Sequence, residues 1–530
     1  MGDRPAYSKS NRSVVRSKNA MIASSQPLAS AAGLEVMMKG GNAVDAAVAA
    51  SAVLGVVEPF ACGIGGDSFA IYWDAKKSEL VGLNGSGRSA ASLDVEGMKA
   101  KTGYTELPLT GVHTITVPGA VDAWDAMLKR YGTMTLKELL QPAIRYAREG
   151  FPVTDIIAQQ WKMNAATLVT EEAQRVFLND GKPPEPGDIF TIPDLADSLE
   201  LIANEGKEAF YEGKLAKQMC KCIKDLSGYL TEEDFKNHKS DWVQPLSTNY
   251  KGYEVYELPP NGQGAMVLEM LNILEGYDMK SLGHNSAEYM HLIIEAKKAA
   301  FSDRANYIAD PDFADLPTEK IISKEYAGER RKIIDPNRAS EMKDWDWTSS
   351  NTAYLSVVDP DGNALSFITS VFCEFGSGVV PEATGIIMQN RGALFTLEDG
   401  HFNCLEPAKR PLHTIIPAMV LKDGKPWFCF GVMGGDMQPA GHVQVLLNII
   451  EFGMDAQEAG EAARVCHTAE GVALEQAVQW KERLKLIEIG HFVISKFDVF
   501  GGYQGILIDA KTGMLEGGSD DRKDGCAIGF

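Results

Sequence analysis

The period of the apolar positions changes several times along the chain, and each change marks an element. Residues 20–30, AMIASSQPLAS, read as a short strand and a turn entering a helix at 30–38, which Gly40-Gly41 closes. Asn42 then caps an alanine-rich helix running to about Val57. After Gly63-Ile64-Gly65-Gly66-Asp67, the stretch FAIYWDAKKSELVGLNG alternates and turns at Asp74-Ala75-Lys76-Lys77, a β-hairpin pattern. Helices are predicted near 119–130 and 136–149, the second entered through Thr135. The middle of the chain, about 155–250, is helical and charged and is expected to form an outer lobe.

Further on, a strand at Gly252–Leu258 runs into Pro259-Pro260-Asn261-Gly262-Gln263-Gly264 and a helix over 264–275. A longer helix is predicted at about Ala287–Ile308, where Tyr289, Leu292, Ile293, Ala296 and Ala300 share one face. The polar stretch Arg338–Asn351 reads as an exposed loop, and the pattern after it becomes strongly β. Tyr354–Val358 is a strand, Asp359-Pro360-Asp361-Gly362-Asn363 a hairpin turn, and Ala364–Ser370 the return strand. Strand patterns recur near 385–389, 414–421 and 427–432, with helices at about 439–453 and 456–464. The junction 351/352 thus divides a mainly helical part, 1–351, from a mainly β part, 352–530, with no internal repeat or low-complexity tract.

Composition narrows the classes. At 530 residues the chain exceeds one ordinary core but fits a single large layered α/β unit. Its net charge of −21 argues against a sequence-independent nucleic-acid binder, which needs a basic face. The first residues, MGDRPAYSKSNRSVVRSKNAM, lack the apolar core of a secretory signal, and no apolar run is long enough to span a membrane. Eight scattered cysteines without a CxxC pattern read as reduced thiols, and a cytoplasmic location is the expectation.

Several chemistries find no support. The nine histidines form no HExxH or HxxxH pair, so no metal is expected, and there is no GxxxxGK[ST] phosphate loop. GIGGDS follows a helix rather than a strand, and is read as a tight turn with close backbone approach rather than a dinucleotide site. Gly434-Gly435 stand between a strand and a helix, where successive N–H groups can hold an oxyanion. A threonine hydroxyl becomes an effective nucleophile at a chain terminus, because its own α-amine then serves as the base. Cleavage must create that terminus; Asn351-Thr352, at a loop-to-strand junction, fits, as other junctions do.

Longer stretches carry a resemblance. PLASAAGLEVMMKGGNAVDAAVAASAVLGVVEPFACGIGGDSF, TVPGAVDAWDAMLKRYG, ELPPNGQGAMVLEMLNILE, EAKKAAFSDRANYIADPDF, NTAYLSVVDPDGNALSFITS, FGSGVV, AKRPLHTIIPAMV and the MGGD turn occur in one order. They make the chain similar, over nearly its whole length, to the γ-glutamyltranspeptidase family of glutathione hydrolases and acylases. The resemblance implies a four-layer αββα N-terminal-nucleophile sandwich. It also implies self-cleavage of one precursor between Asn351 and Thr352 into two subunits that stay associated. By the same resemblance Thr352 is the nucleophile, Ser370 its supporting hydroxyl, and Gly434 and Gly435 the oxyanion donors, with no cofactor. Self-association beyond the two subunits, as a homo-oligomer, is admitted but not indicated.

The groups that hold a γ-glutamyl substrate in the family do not carry over. The arginine for the α-carboxylate falls on Ser86, with Arg88 two residues on as a substitute. The asparagine two residues past the supporting hydroxyl is Phe372, and the acidic partner of the α-amine falls on Leu394. The glutamine after Asn390 is Arg391, and the family's serine pair is His413-Thr414. A substrate site of Arg88, Asn390, Arg391, His413 and Thr414 suits a small anionic amide without an α-amine, as in the oxamate-amidohydrolase and acylase branch. The alternatives are a true γ-glutamyl hydrolase or transferase with a rebuilt pocket, and a non-catalytic relative kept for binding.

Overall fold

Three bodies of buried apolar side chains set the layer order in a computed structural model of the chain, which describes residue 10, residues 12–341 and residues 352–530. The central body lies between two sheets. Phe69, Ile71 and Trp73 enter it from one sheet, while Ala70 and Tyr72 of the same strand point into the body beyond. In the other sheet Met419 and Leu421 enter the central body, and Ala418 and Val420 point away. Period-two alternation with both faces apolar is what a strand buried on both sides requires.

Each sheet has seven strands. The first runs in the order Cys526–Gly529, Met21–Ser24, Ala353–Val358, Ala364–Ser370, Asp67–Asp74, Glu79–Asn84 and Asp241–Val243. The second runs Val15–Ser17, Leu515–Ser519, Gly502–Ile508, Lys425–Met433, Ala418–Lys422, Tyr253–Glu257 and Leu246–Tyr250. All neighbours in both are antiparallel. Helices Pro27–Met38, Ala43–Val57 and Ala120–Tyr131 cover the outer face of the first sheet. Helices Gly264–Leu274, Ala287–Tyr307 and Gln438–Ile450 cover the second. The result is the αββα sandwich.

The helices of the middle stretch pack on the same apolar body as the first helix pair: Trp161, Phe177, Leu199, Ile202, Met219 and Ile223 all join it. That stretch ends in Asp241–Val243 and Leu246–Tyr250, consecutive strands that close one edge of each sheet.

Local chemistry explains the departures from the predicted elements. The first helix begins at Pro27, earlier than 30, because proline suits the first turn and the Gln26 side chain accepts from Leu28 N at 2.6 Å. The 136–149 helix is broken into Leu136–Leu139 and Gln141–Glu149, with Pro142, which has no N–H to give, in the first turn of the second piece. Residues 385–389 are no strand: Met388 N donates to Val379 O and Gln389 N to Gly65 O, both in loops. The 414–421 strand starts only at Ala418, since side chains take the preceding amides: Ile415 N donates to His413 Nδ1 and Ile416 N to Gln438 Oε1. Of the loop predicted over 338–351, residues 342–351 lie outside the described residues, and the processing residue Asn351 with them.

All eight cysteines are free. Among the described residues no helix is long and apolar enough to cross a membrane.

Candidate active site

Thr352 directly precedes the strand Ala353–Val358, in which Ala353 faces Thr369, so Ser370 is the next residue on the return strand. The Thr352 hydroxyl donates to Ser370 Oγ at 3.2 Å, and that oxygen also accepts from Phe372 N at 2.9 Å. Both hydroxyl residues are fully buried. Ser370 is fixed from its other side by the strand that starts at Asp67. A Cβ on Gly66 would lie 2.3 Å from Ser370 O, and one on Gly65 would lie 2.0 Å from Ile387 O. The GIGGD run is thus a place of close backbone approach. Phe372 has φ +80°, an uncommon conformation for a residue with a side chain, adjoining the supporting serine. Burial pushes the nearby Cys373 thiol up to about 12, so it stays protonated at neutral pH.

Gly434 and Gly435 link the strand Lys425–Met433 to the helix Gln438–Ile450, with φ +112° and +56°. Side chains are disfavoured there, and a Cβ on Gly434 would meet Gly501 Cα at 2.8 Å. Gln263 pins this turn: its Nε2 donates to Gly435 O at 3.1 Å and to Thr414 O at 2.7 Å. Its Oε1 accepts from Arg304 at 2.7 Å, and Arg304 also pairs with Asp436. A cavity of about 320 Å³ reaches Gly434 and has Gln160, Glu374, Phe497 and Lys523 in its walls. Gly434, in a turn that Gln263 holds beside an open cavity, can offer a fixed N–H dipole to charge that develops on an oxygen there.

Arg391 is fully buried, yet among the described residues only its Nη1 finds an acceptor, Thr414 Oγ1 at 2.8 Å. Its Nε and Nη2 have none, and its guanidinium carbon sits 4.6 Å from the centre of the Phe372 ring. Burial lowers its pKa to about 10, which leaves it a cation at neutral pH. His413 lies nearby, buried and neutral: burial and the charge of Arg391 bring its pKa down to about 3. Its Nδ1 accepts from Ile415 N, so Nε2 carries the proton and donates to Asp67 Oδ2 at 3.1 Å. Burial alone would raise the Asp67 carboxyl, but donors from His413 and Gln389 and the charge of Arg391 hold it below the usual range. Asp67 Oδ1 takes Gly87 N, Gly119 N and Gln389 Nε2. It is an ionised brace with its acceptor capacity spent on the fold.

The structure brings Thr352 to Ser370 and Arg391 to Thr414, and it ties Thr414 to Gly435 through Gln263. His413 joins through Asp67, which pairs with Ser370 in register. Asn390 is engaged structurally, since its Oδ1 accepts from Cys373 N at 3.0 Å and its Nδ2 donates to Leu109 O at 2.6 Å. Arg88 is not brought to this cluster: its guanidinium pairs with Asp310 and Asp312 and donates to Ala408 O. Ser86, in the register of the family's arginine, is buried and accepts from Asn261 Nδ2. Sequence reasoning missed Asp67, Gln263 and Gln389. The first two stand in the GIGGD and PPNGQG runs, where a polar side chain amid turn residues was the available signal.

Residues 29–530 match the family model of gamma-glutamyltranspeptidase. The chain is 41% identical to the glutathione hydrolase-like YwrD proenzyme of Bacillus subtilis, with 98% of the chain and 100% of that protein covered. It is 32% identical to the oxamate amidohydrolase proenzyme of Klebsiella pneumoniae, covering 97% and 99%. The crystal structure of cephalosporin acylase from Bacillus halodurans superposes with a TM-score of 0.92 at 41% identity, covering 100% of this chain and 99% of that one.

Proposed function

The chain belongs to the gamma-glutamyltranspeptidase family and is an N-terminal-nucleophile amidohydrolase of it; on that premise we propose that it cuts itself before Thr352 and then hydrolyses a small amide bearing a carboxylate. The observation that carries the substrate class is Arg391. A fully buried guanidinium with two nitrogens that have no acceptor among the described residues is a costly feature unless an anion completes it. A ligand carboxylate in the plane of Nε and Nη2 would receive a bidentate pair.

In processing, Thr352 Oγ attacks the Asn351 carbonyl, the C–N bond breaks as the ester forms and frees the Thr352 α-amine, and water then hydrolyses the ester to give the Asn351 carboxylate and restore the Thr352 hydroxyl. In turnover that amine takes the Oγ proton as Oγ attacks the substrate carbonyl. The N–H groups at Gly434 and Gly435 hold the tetrahedral oxyanion. Collapse expels the amine, which receives the proton, and leaves an acyl-Thr352 ester. Water, deprotonated by the same α-amine, releases the acid and restores the hydroxyl. Ser370 accepts the Thr352 hydroxyl proton in the resting site and fixes its rotamer. We place the reaction in a reducing compartment, the cytoplasm, which eight free cysteines support.

The glutathione hydrolase-like name of one relative favours a second reading, a γ-glutamyl amide substrate. Against it, the register of the acidic partner for an α-ammonium holds Leu394, and Asp67 is fully engaged. Intact mass of wild type beside Thr352→Ala tests the nucleophile: wild type gives chains 1–351 and 352–530, and the variant stays whole. Turnover of oxamate, succinamate and glutaramate beside a γ-glutamyl anilide tests the substrate. Faster hydrolysis of the anilide than of every monoamide would reverse the assignment.

A further inference from the structure

Two imidazoles and a carboxylate converge in the helix layer outside the second sheet. His291 and Glu295 stand one turn apart on the helix Ala287–Tyr307, and His491 follows the helix Trp480–Ile489. All three are buried. His291 Nδ1 and His491 Nε2 are 2.8 Å apart, and one ligand atom from each of the three residues lies within 4.8 Å of the others.

The surroundings orient the donors. His291 Nε2 is 2.8 Å from Asp335 O, which can only accept, so Nε2 carries the proton and Nδ1 turns its lone pair toward His491. An imidazole whose second nitrogen donates to a backbone carbonyl is the arrangement that supports metal ligation. Glu295 Oε1 is held by Lys298 Nζ at 2.7 Å, whereas among the described residues Oε2 has only a 3.3 Å contact from Ser340 N, which Oε1 shares. One carboxylate oxygen is thus anchored and the other is left to a weak donor.

We propose that His291, Glu295 and His491 bind a divalent transition-metal ion of the zinc class. Two imidazoles with one carboxylate is a donor set suited to Zn²⁺. Zn–N bonds of about 2.0–2.1 Å at a tetrahedral angle need nitrogens roughly 3.4 Å apart. Tilting the rings from their present 2.8 Å contact supplies that. His491 moves its proton from Nε2 to Nδ1, so both imidazoles stay neutral and no net proton is released. Lys298 is the ion's competitor, since its ammonium holds Glu295 from the other oxygen and is also bonded to Ser340 O at 2.9 Å. His291, Glu295 and the carbonyl of Asp335 precede the 351/352 junction, and His491 follows it. Resting on the cleavage reading above, the ion also ties the end of the large subunit to the small one.

The test is titration of chelator-dialysed full-length protein with Co²⁺ and Zn²⁺, reading the visible absorption of tetrahedral Co²⁺ and its displacement by Zn²⁺. One equivalent per chain is expected. Glu295→Gln and His491→Gln, each checked for native circular dichroism, should weaken binding more than about 100-fold. Lys298→Met should tighten it about tenfold, an effect a merely structural cluster would not show. Absence of stoichiometric binding by wild type, or equal binding by a folded Glu295→Gln or His491→Gln protein, overturns the site. The uncut Thr352→Ala protein should bind the ion like wild type, so failure of the metal site and failure of the cleavage reading are seen separately.

Discussion

Replacing Arg391 by methionine separates a substrate anchor from a structural cation, because the two roles predict opposite changes in stability and activity. Methionine keeps an unbranched apolar stem and removes the charge together with the guanidinium's contact with the Phe372 ring, worth about 1 kcal/mol. In the free protein the change deletes one hydrogen bond, to Thr414 Oγ1, worth about 1 kcal/mol. It also relieves the burial of two N–H groups without protein acceptors, worth about 1–3 kcal/mol each. The free variant should therefore lie between the stability of wild type and about 4 kcal/mol above it. With an anionic amide, two charge-assisted hydrogen bonds of about 1.5–3 kcal/mol each are lost. Taking about 4 kcal/mol, kcat/KM on succinamate should fall about 1000-fold. Propionamide, which has no carboxylate to place, should change by less than about tenfold. Urea unfolding and ammonia release from the two amides give the numbers. A loss of more than about 3 kcal/mol in stability, or equal losses on both amides, would refute the reasoning and make Arg391 a brace for the loop after Ser370.

Ser370→Ala removes the acceptor shared by Thr352 Oγ1 and Phe372 N, and should slow both self-cleavage and turnover about 10–1000-fold without loss of fold. Gel densitometry of cleavage at fixed times checks it, and unchanged rates would remove Ser370 from the site. Stability should also fall in mild acid. His413 and His442 are buried and His238 is half-buried, and desolvation brings their pKa values to about 3, 3 and 4. Above about pH 6.5 each is neutral in both folded and unfolded chains and adds no pH dependence. Below it the unfolded chain takes up protons that the folded one cannot, so each group costs about 1.4 kcal/mol per pH unit down to its folded pKa. Urea midpoints at pH 7.5, 6.5 and 5.5 should be flat over the first interval and fall over the second; a flat second interval contradicts the neutral burial of these rings.

Self-contained local chemistry was legible in the sequence. The helix Ala43–Val57 follows from Asn42 and Asp45, which form its capping box within four residues. The hairpin Ala353–Ser370 follows from its alternation and the Asp359–Asn363 turn, in which Gly362 takes φ +82°. The nearness of Thr352 to Ser370 was legible through long ordered motifs, because each sits at a strand end that its own neighbours define. Tertiary structure decided how charges are spent. Arg88 was a reasonable substrate cation until Asp310 and Asp312, more than 200 positions away, came within 3.1 Å of it. Asn390 likewise became a brace for Cys373 and Leu109. The reverse holds for Arg391, whose want of an ion partner among the described residues shows only after the chain is folded around it. His291, Glu295 and His491 form no spacing motif, because their third member is 196 positions beyond the second (295 to 491). Hydrophobic period and capping act over a few residues and are written in sequence order. Pairing of buried charges acts over a few ångströms, and only the packed layers determine which residues those are.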